Sequence, residues 1–473
     1  MKIKKVELIV IGSGPGGYAA AFRASDLGRK VLLIEKDSVL GGVCLNRGCI
    51  PSKAFLHISK VISDVDHLSS LGVMFQKPKI NIEEVRAYKN KIVSKLNSGI
   101  SQMAKARNVE TMEGVASFGS NTNLLVKTSK EELKVLFKDC IIASGSSSSL
   151  IPGLPKNSSK VLTSKTALDL ENIPQKLLVV GGGIIGLELG QVYASLGSRV
   201  TIVEFLPHLV PGADIDLIKP LHRKLNKQFD SILLSSKVTS VKETKKGQLI
   251  VKIENQKGEK EDVFDKVLVS VGRKPNSKIL NLENTGVVLN NQGFIEVDEY
   301  QRTSVSSIYA IGDIVGNPML AHKATYQGKV AAEVASGHPA VYDVKTVPSV
   351  IYTNPEVAWA GVTEKEAKEK NIPYKKSEFP WAASGKALIL NANQGKTKIL
   401  FDPENKQVIG VGIVGPSAGD IISEGVLAIE MGADAEDIGL TMHPHPTLGE
   451  TMAATAEVFT GTITDLYIPK QNK

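Results

Sequence analysis

Short apolar runs that end in glycine punctuate this chain. The first, Val6-Glu7-Leu8-Ile9-Val10-Ile11, reads as a buried strand and enters Gly12-Ser13-Gly14-Pro15-Gly16-Gly17, after which an alanine-rich stretch reads as helix. Lys30-Val31-Leu32-Leu33-Ile34 is a second strand run and ends in Glu35. Leu177–Val180 and Arg199–Val203 repeat the pattern, and Cys140-Ile141-Ile142-Ala143 reads as a core strand. Beyond Val347-Pro348, valine-rich segments such as Val408–Val414 predict an α+β C-terminal part.

The glycines between strand and helix have separable tasks. Gly12 permits the sharp turn, Gly14 lets the backbone approach a pyrophosphate, and Gly17 brings the helix against the strand, so that a phosphate meets the helix N-terminus. Glu35, closing the next strand, is placed to hydrogen-bond a ribose hydroxyl. One such set is weak evidence, since a tight strand-to-helix turn uses the same glycines. Adding 169 to each position, however, reproduces all of it: Gly181, Gly183 and Gly186 follow a strand run, and Glu204 matches Glu35. The repeat predicts two dinucleotide sites.

Two of the three cysteines, Cys44 and Cys49, lie in Gly41-Gly42-Val43-Cys44-Leu45-Asn46-Arg47-Gly48-Cys49-Ile50-Pro51-Ser52-Lys53. Two buried free thiols are the ordinary reading of an arbitrary pair at this spacing; in this context the pair is read as a redox-active disulfide. Five positions exceed one helical turn, so a bridge needs an irregular segment, which Gly48 and Pro51 both allow. A metal site would need more ligands, and Cys140 belongs to its apolar strand.

The 473 residues, 42% hydrophobic, predict several globular domains, and 42 glycines suit many tight turns. Three cysteines exclude a disulfide scaffold and favour a reducing compartment, with cytoplasm as the expected location. The basic Met1-Lys2-Ile3-Lys4-Lys5 precedes an apolar run too short for a signal peptide, and no run has transmembrane length. The net charge of +8 raises nucleic acid as a partner, but the lysine-rich stretches at Lys242–Lys246 and Lys365–Lys376 carry acids or lack stacking aromatics and read as solvated faces. Neither nucleic acid nor membrane is expected. Near the end, His443-Pro444-His445-Pro446-Thr447-Leu448-Gly449-Glu450 could supply a metal pair, but the prolines spoil a regular strand and no acid–thiol cluster is near; acid–base work by His445 is the preferred reading, with His443 structural and no metal.

Taken together, these segments resemble the flavin-linked pyridine nucleotide-disulfide oxidoreductases, and among them the dihydrolipoamide dehydrogenases. The resemblance runs almost end to end, through Ile141–Ser146, Gly181–Gly190, Val271–Asn276, Ile308–Asp313, Leu320–Ala324, Tyr352–Ala358 and His443–Glu450. Val43 and Arg47 stand where the family pattern has Thr and Val, Ser144 replaces Thr, and Pro444 and Gly449 replace Ala and Ser.

The resemblance implies an α/β fold class with two Rossmann-like domains and an α+β C-terminal dimerisation domain. It divides the chain into an FAD-binding part at 1–156, an NAD-binding domain at 157–271, a return to the FAD side at 272–344, and the dimer domain at 345–473. It assigns tightly bound FAD to Gly12, Gly14, Gly17, Glu35, Lys53, Gly114, Ala143, Ser144, Gly145, Asp313 and Ala321. NAD goes to Gly181, Gly183, Gly186, Glu188, Glu204 and Gly272, with Lys53 pairing Glu188. Taken singly, Lys53 reads as a solvated lysine and Asp313 equally well as a helix N-cap.

The resemblance assigns catalysis to Cys44, Cys49, His445 and its carboxylate partner Glu450, and implies that His445 faces the disulfide of the other subunit of a homodimer. The expected reaction reoxidises protein-bound dihydrolipoamide and reduces NAD. The lipoyl-bearing proteins of 2-oxo acid dehydrogenase complexes are the expected partners, and the glycine cleavage system is a further candidate. Glu204 should repel the 2′-phosphate of NADP. A mercuric or glutathione-type reductase and a non-catalytic flavin-binding protein are the alternatives. The first lacks its terminal cysteine pair here, the second usually takes NADPH, and the intact thiol and His–Glu sets argue against the third.

Overall fold

The computed structural model describes residues 2–155 and 158–467. The strand Leu8–Ile11, buried at every position, lies in the middle of a five-stranded parallel sheet in the order Ile308–Ala310, Asp139–Ile142, Leu8–Ile11, Val31–Glu35, Glu110–Glu113. Its two faces explain why these runs carry no polar alternation. Leu8 and Val10 pack with the helices Pro15–Asp26 and Ala321–Ala335, while Ile9 and Ile11 pack with Phe118, Leu124 and Val126. Cys140 is wholly buried within this sheet, and burial pushes its thiol well above the ordinary cysteine range.

A second five-stranded parallel sheet runs in the order Val161–Leu162, Lys266–Val269, Lys176–Val180, Arg199–Val203, Ser231–Leu233. The antiparallel strands Lys237–Glu243, Leu249–Asn255 and Gly258–Phe264 pack over it. Ser146–Ser148 and Arg273–Pro275 pair as a ribbon beside this unit, and the chain then rejoins the first sheet through Ile308–Ala310. The boundary expected between residues 156 and 157 lies outside the described residues. From Ser349 onward an antiparallel sheet takes the order Ser349–Ile351, Glu356–Gly361, Val408–Gly415, Lys396–Phe401, Lys375–Pro380, with the helices Ala418–Met431 and Glu450–Thr460 packed on it. The expected α/β class with an α+β third part is what the chain forms. No helix among the described residues is long and apolar enough to cross a membrane.

The C-terminal part is fastened to the second sheet's unit by a buried charge. Lys398, 2% exposed, donates to Asp214 at 2.7 Å and to Asp216 and Glu364 at 2.8 Å each. Asp214 also accepts the amides of Glu364 and Lys365, so the acids that could otherwise gather a metal are satisfied by one ammonium.

One local expectation changes, and one basic segment takes on structure. Pro51 does not break a helix: it sits in the first turn of Cys49–Leu68, where its missing N–H has no intrahelical partner to lose. The break between the thiols falls at Gly48 alone, which separates the short helix Gly42–Arg47 from the long one. Lys2–Lys5, basic in composition, forms an edge strand paired with Leu133–Leu136, because backbone pairing there needs no apolar alternation.

Candidate active site

Both glycine turns open onto one cavity of about 1790 Å³. Gly12 has φ +97°, and a Cβ there would lie 2.4 Å from the carbonyl of Ala143; Gly181 has φ +107°, and its Cβ would lie 2.5 Å from the carbonyl of Ser270. A side chain at Gly17 would strike the Gly12 carbonyl at 1.8 Å, and one at Gly186 the Gly181 carbonyl at 2.1 Å. Gly186 thus lies beneath its turn and is the one predicted nucleotide residue that does not line the cavity. Gly14 and Gly183 face nothing within 4 Å. The helices Pro15–Asp26 and Ile184–Ser195 begin there, with no acidic residue in either first turn. Their leading amides form an anion site on each side of the cavity.

The two carboxylates repeat as closely as the glycines. Glu35 Oε2 accepts from Ser13 N at 2.9 Å and Ser13 Oγ at 2.6 Å, and its Oε1 accepts from Asp37 N at 3.1 Å. Glu204 Oε2 accepts from Gly182 N at 2.6 Å and its Oε1 from Leu206 N at 2.8 Å. Each acid is therefore oriented by its own turn and by the amide two residues on.

Around the first turn, Gly114 N donates to the Glu35 carbonyl at 2.8 Å, and Ala143 N to that of Ile11 at 2.8 Å. Asn276 donates from Nδ2 to the Ser144 carbonyl and from its amide to the Gly145 carbonyl. Ser144 Oγ is buried without a protein partner on the wall of the cavity, so the cradle offers a bound group a hydrogen bond that the protein does not use. This orphan hydroxyl and the open faces of Gly14 and Gly183 fit two dinucleotides. Asp313 stands inside the short 3₁₀ turn Gly312–Val315, whose N-cap is Ile311, so the capping alternative falls away. Its carboxylate accepts from Ser146 Oγ and lies 3.7 Å from Arg273. Ala321 begins its helix on the same wall, and Gly272, with φ +119°, lies on that wall just before the strand Arg273–Pro275.

Cys44 lies in the short helix and Cys49 is the first residue of the long one; both are thiols here and both line the cavity. The Cys44 thiol donates to Cys49, which draws the Cys49 pKa down to about 7, with Lys53 assisting against burial and Glu188. The same hydrogen bond, together with burial, pushes Cys44 far up. A helix N-terminus also favours the charge at Cys49. Lys53 Nζ is held by Glu188 at 2.8 and 3.0 Å and lies 4.5 Å from the ring centroid of Tyr352, whose amide donates to Glu188 at 3.0 Å. Lys53 is thus a fixed cation, and the solvated reading is set aside. Glu188, grouped with the NAD residues from the sequence, is committed to Lys53. Tyr352 was not singled out as a site residue, although its segment is one that carries the resemblance.

His445 Nδ1 donates to Glu450 Oε1 at 2.8 Å, and Glu450 Oε2 accepts the Thr447 amide at 2.6 Å. With the proton on Nδ1, Nε2 is the acceptor. The imidazole is 80% exposed and does not line the cavity that holds Cys44 and Cys49 of its own chain. His443 is fastened by Glu424 at 2.8 Å and by the Thr441 carbonyl at 2.8 Å.

Comparison with known proteins follows the same division. Residues 6–328 match the family model described as pyridine nucleotide-disulphide oxidoreductase, and residues 347–456 match the dimerisation domain of that family. The dihydrolipoyl dehydrogenase of Vibrio parahaemolyticus is 48% identical over 98% of this chain and 97% of its own length. That of Buchnera aphidicola from Schizaphis graminum is 48% identical over 98% of both chains, and that of Staphylococcus aureus 44% identical over 96% of both. Among solved structures, the HOCl-induced flavoprotein disulfide reductase RclA from Escherichia coli superposes with a TM-score of 0.84 at 23% identity, covering 96% of this chain and 99% of that one, a likeness of fold. Fold, paired glycine turns and full-length relatives agree: the chain belongs to the pyridine nucleotide-disulphide oxidoreductase family.

Proposed function

We propose that the chain is a homodimeric flavoprotein that reoxidises protein-bound dihydrolipoyl groups and reduces NAD. The observation that carries this reading is a thiol pair at a helix N-terminus, beside a fixed lysine, on the one cavity that both glycine turns share. In this reading 1–156 and 272–344 form the FAD side, 157–271 the NAD domain and 345–473 the dimer domain. The first turn, with Glu35, Gly114, Ala143–Gly145, Asp313 and Ala321, holds FAD. The second turn, with Glu204 and Gly272, holds NAD. Bound FAD supplies the two-electron link between the dithiol and the nicotinamide.

The remaining steps belong to the chain's own residues. His445 Nε2 takes the proton of a dihydrolipoyl thiol, and Glu450 holds the resulting imidazolium at Nδ1. The substrate thiolate attacks Cys44 of the Cys44–Cys49 disulfide, and Cys49 leaves as a thiolate, whose charge Lys53 favours. The second substrate thiol then displaces Cys44, which leaves with that thiol's proton, so the lipoyl disulfide closes and the protein keeps the two electrons as a Cys44 thiol and a Cys49 thiolate. Because His445 is off its own chain's cavity, each base serves the thiols of the opposite chain. The proposed substrates are the lipoyl domains of 2-oxo acid dehydrogenase complexes and of a glycine cleavage system, in the cytoplasm.

Dihydrolipoamide with NAD and then NADP is the direct assay: NAD should be preferred well over tenfold, since a 2′-phosphate would be placed beside Glu204. Equal rates would reject NAD as the acceptor. Cys44→Ser and Cys49→Ser should each abolish turnover while leaving the flavin content unchanged. A dimer pairing a Cys44→Ser chain with a His445→Gln chain should recover about half the wild-type rate; no recovery would place the base in its own chain's site.

A further inference from the structure

The segment 41–47 runs across the first glycine turn and is fastened at both ends. At its start, Gly41 N donates to Ser13 O at 3.0 Å and Ser13 Oγ at 3.2 Å. Gly42 packs so closely that a Cβ on it would lie 2.6 Å from Gly14 Cα. One residue before its end, Asn46 Nδ2 donates at 3.0 Å to the carbonyls of Leu40 and Gly42, while its Oδ1 accepts from Asn97 at 2.8 Å. At its end Arg47 forms an ion pair with Asp37, whose own amide donates to Glu35 Oε1 at 3.1 Å. Asp37 and Arg47 both line the cavity. Among the described residues the second glycine turn has no counterpart of this double fastening: it is covered through Val210, whose amide donates to the Gly182 carbonyl at 3.1 Å.

We infer that the Asp37–Arg47 ion pair is the clasp of a strap, residues 41–47, that closes over the first glycine turn and sets how long FAD stays bound. The inference rests on the assignment of FAD to that turn. The other fastenings are backbone contacts or neutral hydrogen bonds around Gly41, Gly42 and Asn46, so Arg47 alone ties the far end of the strap to the strand that carries Glu35. Because the pair is only partly exposed, its loss should be felt at the upper end of what a surface ion pair contributes. Arg47 acts here as a positioning residue, and Asp37 is its anchor.

The test is a double-substitution cycle read by flavin release. Purified flavin-loaded dimers of the wild type, Arg47→Met, Asp37→Asn and the double variant are held in moderate urea, and free flavin is followed in the filtrate. Each single variant should release FAD about fivefold faster, which corresponds to about 1 kcal/mol. The double variant should release it no faster than either single one. Exchanging the charges, Arg47→Asp with Asp37→Arg, should restore most of the retention. NADH affinity of the flavin-loaded proteins should be unchanged. Release that ignores both single substitutions, or a double variant that multiplies their effects, would overturn the clasp while leaving the FAD assignment standing. A parallel loss of NADH affinity would show general loosening and would likewise overturn it. Wild-type protein isolated without flavin would overturn the FAD assignment and the clasp together.

Discussion

The two glycine turns are nearly the same object built twice, and what differs between them is what lies on top. Gly12 and Gly181 both accept a positive φ and the close approach of a carbonyl, and Glu35 and Glu204 each bind the second residue of their turn and the amide two residues further on. The first turn is roofed by the Gly41–Arg47 strap and reinforced by a Ser13 hydroxyl that has no counterpart at Gly182. The second is roofed by the Val210 loop and rimmed by Phe205, which is 71% exposed. On the proposed assignment of FAD to the first turn and NAD to the second, a cofactor that must stay and a carrier that must leave call for the same phosphate cradle and for opposite roofs, with the local motif supplying recognition and non-local packing supplying residence time.

The strongest way to break this comparison is to spoil each cradle in turn. Gly12→Ala places a Cβ on the Ala143 carbonyl at a positive φ and should yield protein without flavin, whereas Gly181→Ala should keep its flavin and lose NADH binding. The flavin-to-protein absorbance ratio and an NADH titration read the two outcomes; loss of flavin in both would show that the sites are not independent. Next in size, His445→Gln should slow dihydrolipoamide oxidation about a hundredfold while leaving flavin content and NADH affinity untouched.

A smaller effect is expected at the thiols. With the Cys49 pKa lowered to about 7, the thiolate is present above that pH and is lost as the pH falls through it, so alkylation of the dithiol form should be half-maximal near pH 7. Lys53→Met removes a cation that favours the thiolate and should move that midpoint upward, toward the ordinary cysteine range; a downward movement would contradict the assignment. The least effect belongs to Ser13→Gly, which makes the first turn chemically like the second: the loss of one hydrogen bond of about 1 kcal/mol should speed FAD release several-fold in the same filtration assay.

Much of this was readable in advance because the repeat is local. Strand run, glycine spacing and terminal acid sit within about two dozen residues of one another, and a period of 169 made the second copy visible. Both parallel sheets and the antiparallel third part follow from those runs. What stayed hidden is non-local or depends on competition. Pro51 has the same residue type whether it breaks a helix or opens one, and only the position of Cys49 at the helix start decides. Lys2–Lys5 is basic in composition but is recruited as a strand by Leu133–Leu136, far along the chain. Lys398 sits in a strand as an unremarkable lysine until Asp214, Asp216 and Glu364 arrive from two other elements. The Glu35–Asp37–Arg47 line crosses a loop whose direction no periodicity reports. His445 and Glu450 were paired, and His445 was set opposite the other subunit's disulfide, through the resemblance and not through any local pattern; the fold adds that His445 is off its own chain's cavity.

The shared cavity has a consequence for stability. With a volume of about 1790 Å³ and a lining drawn from both glycine turns and the thiol helix, it lets bound groups contact several parts of the fold at once. Each ligand that binds only the folded state adds RT ln(1 + [L]/Kd) to its stability, about 2.7 kcal/mol at a hundred times Kd. A chain loaded at both glycine turns is therefore expected to melt at a higher temperature and to be cut more slowly by a protease than the same chain stripped of its ligands, by an amount set by mass action alone.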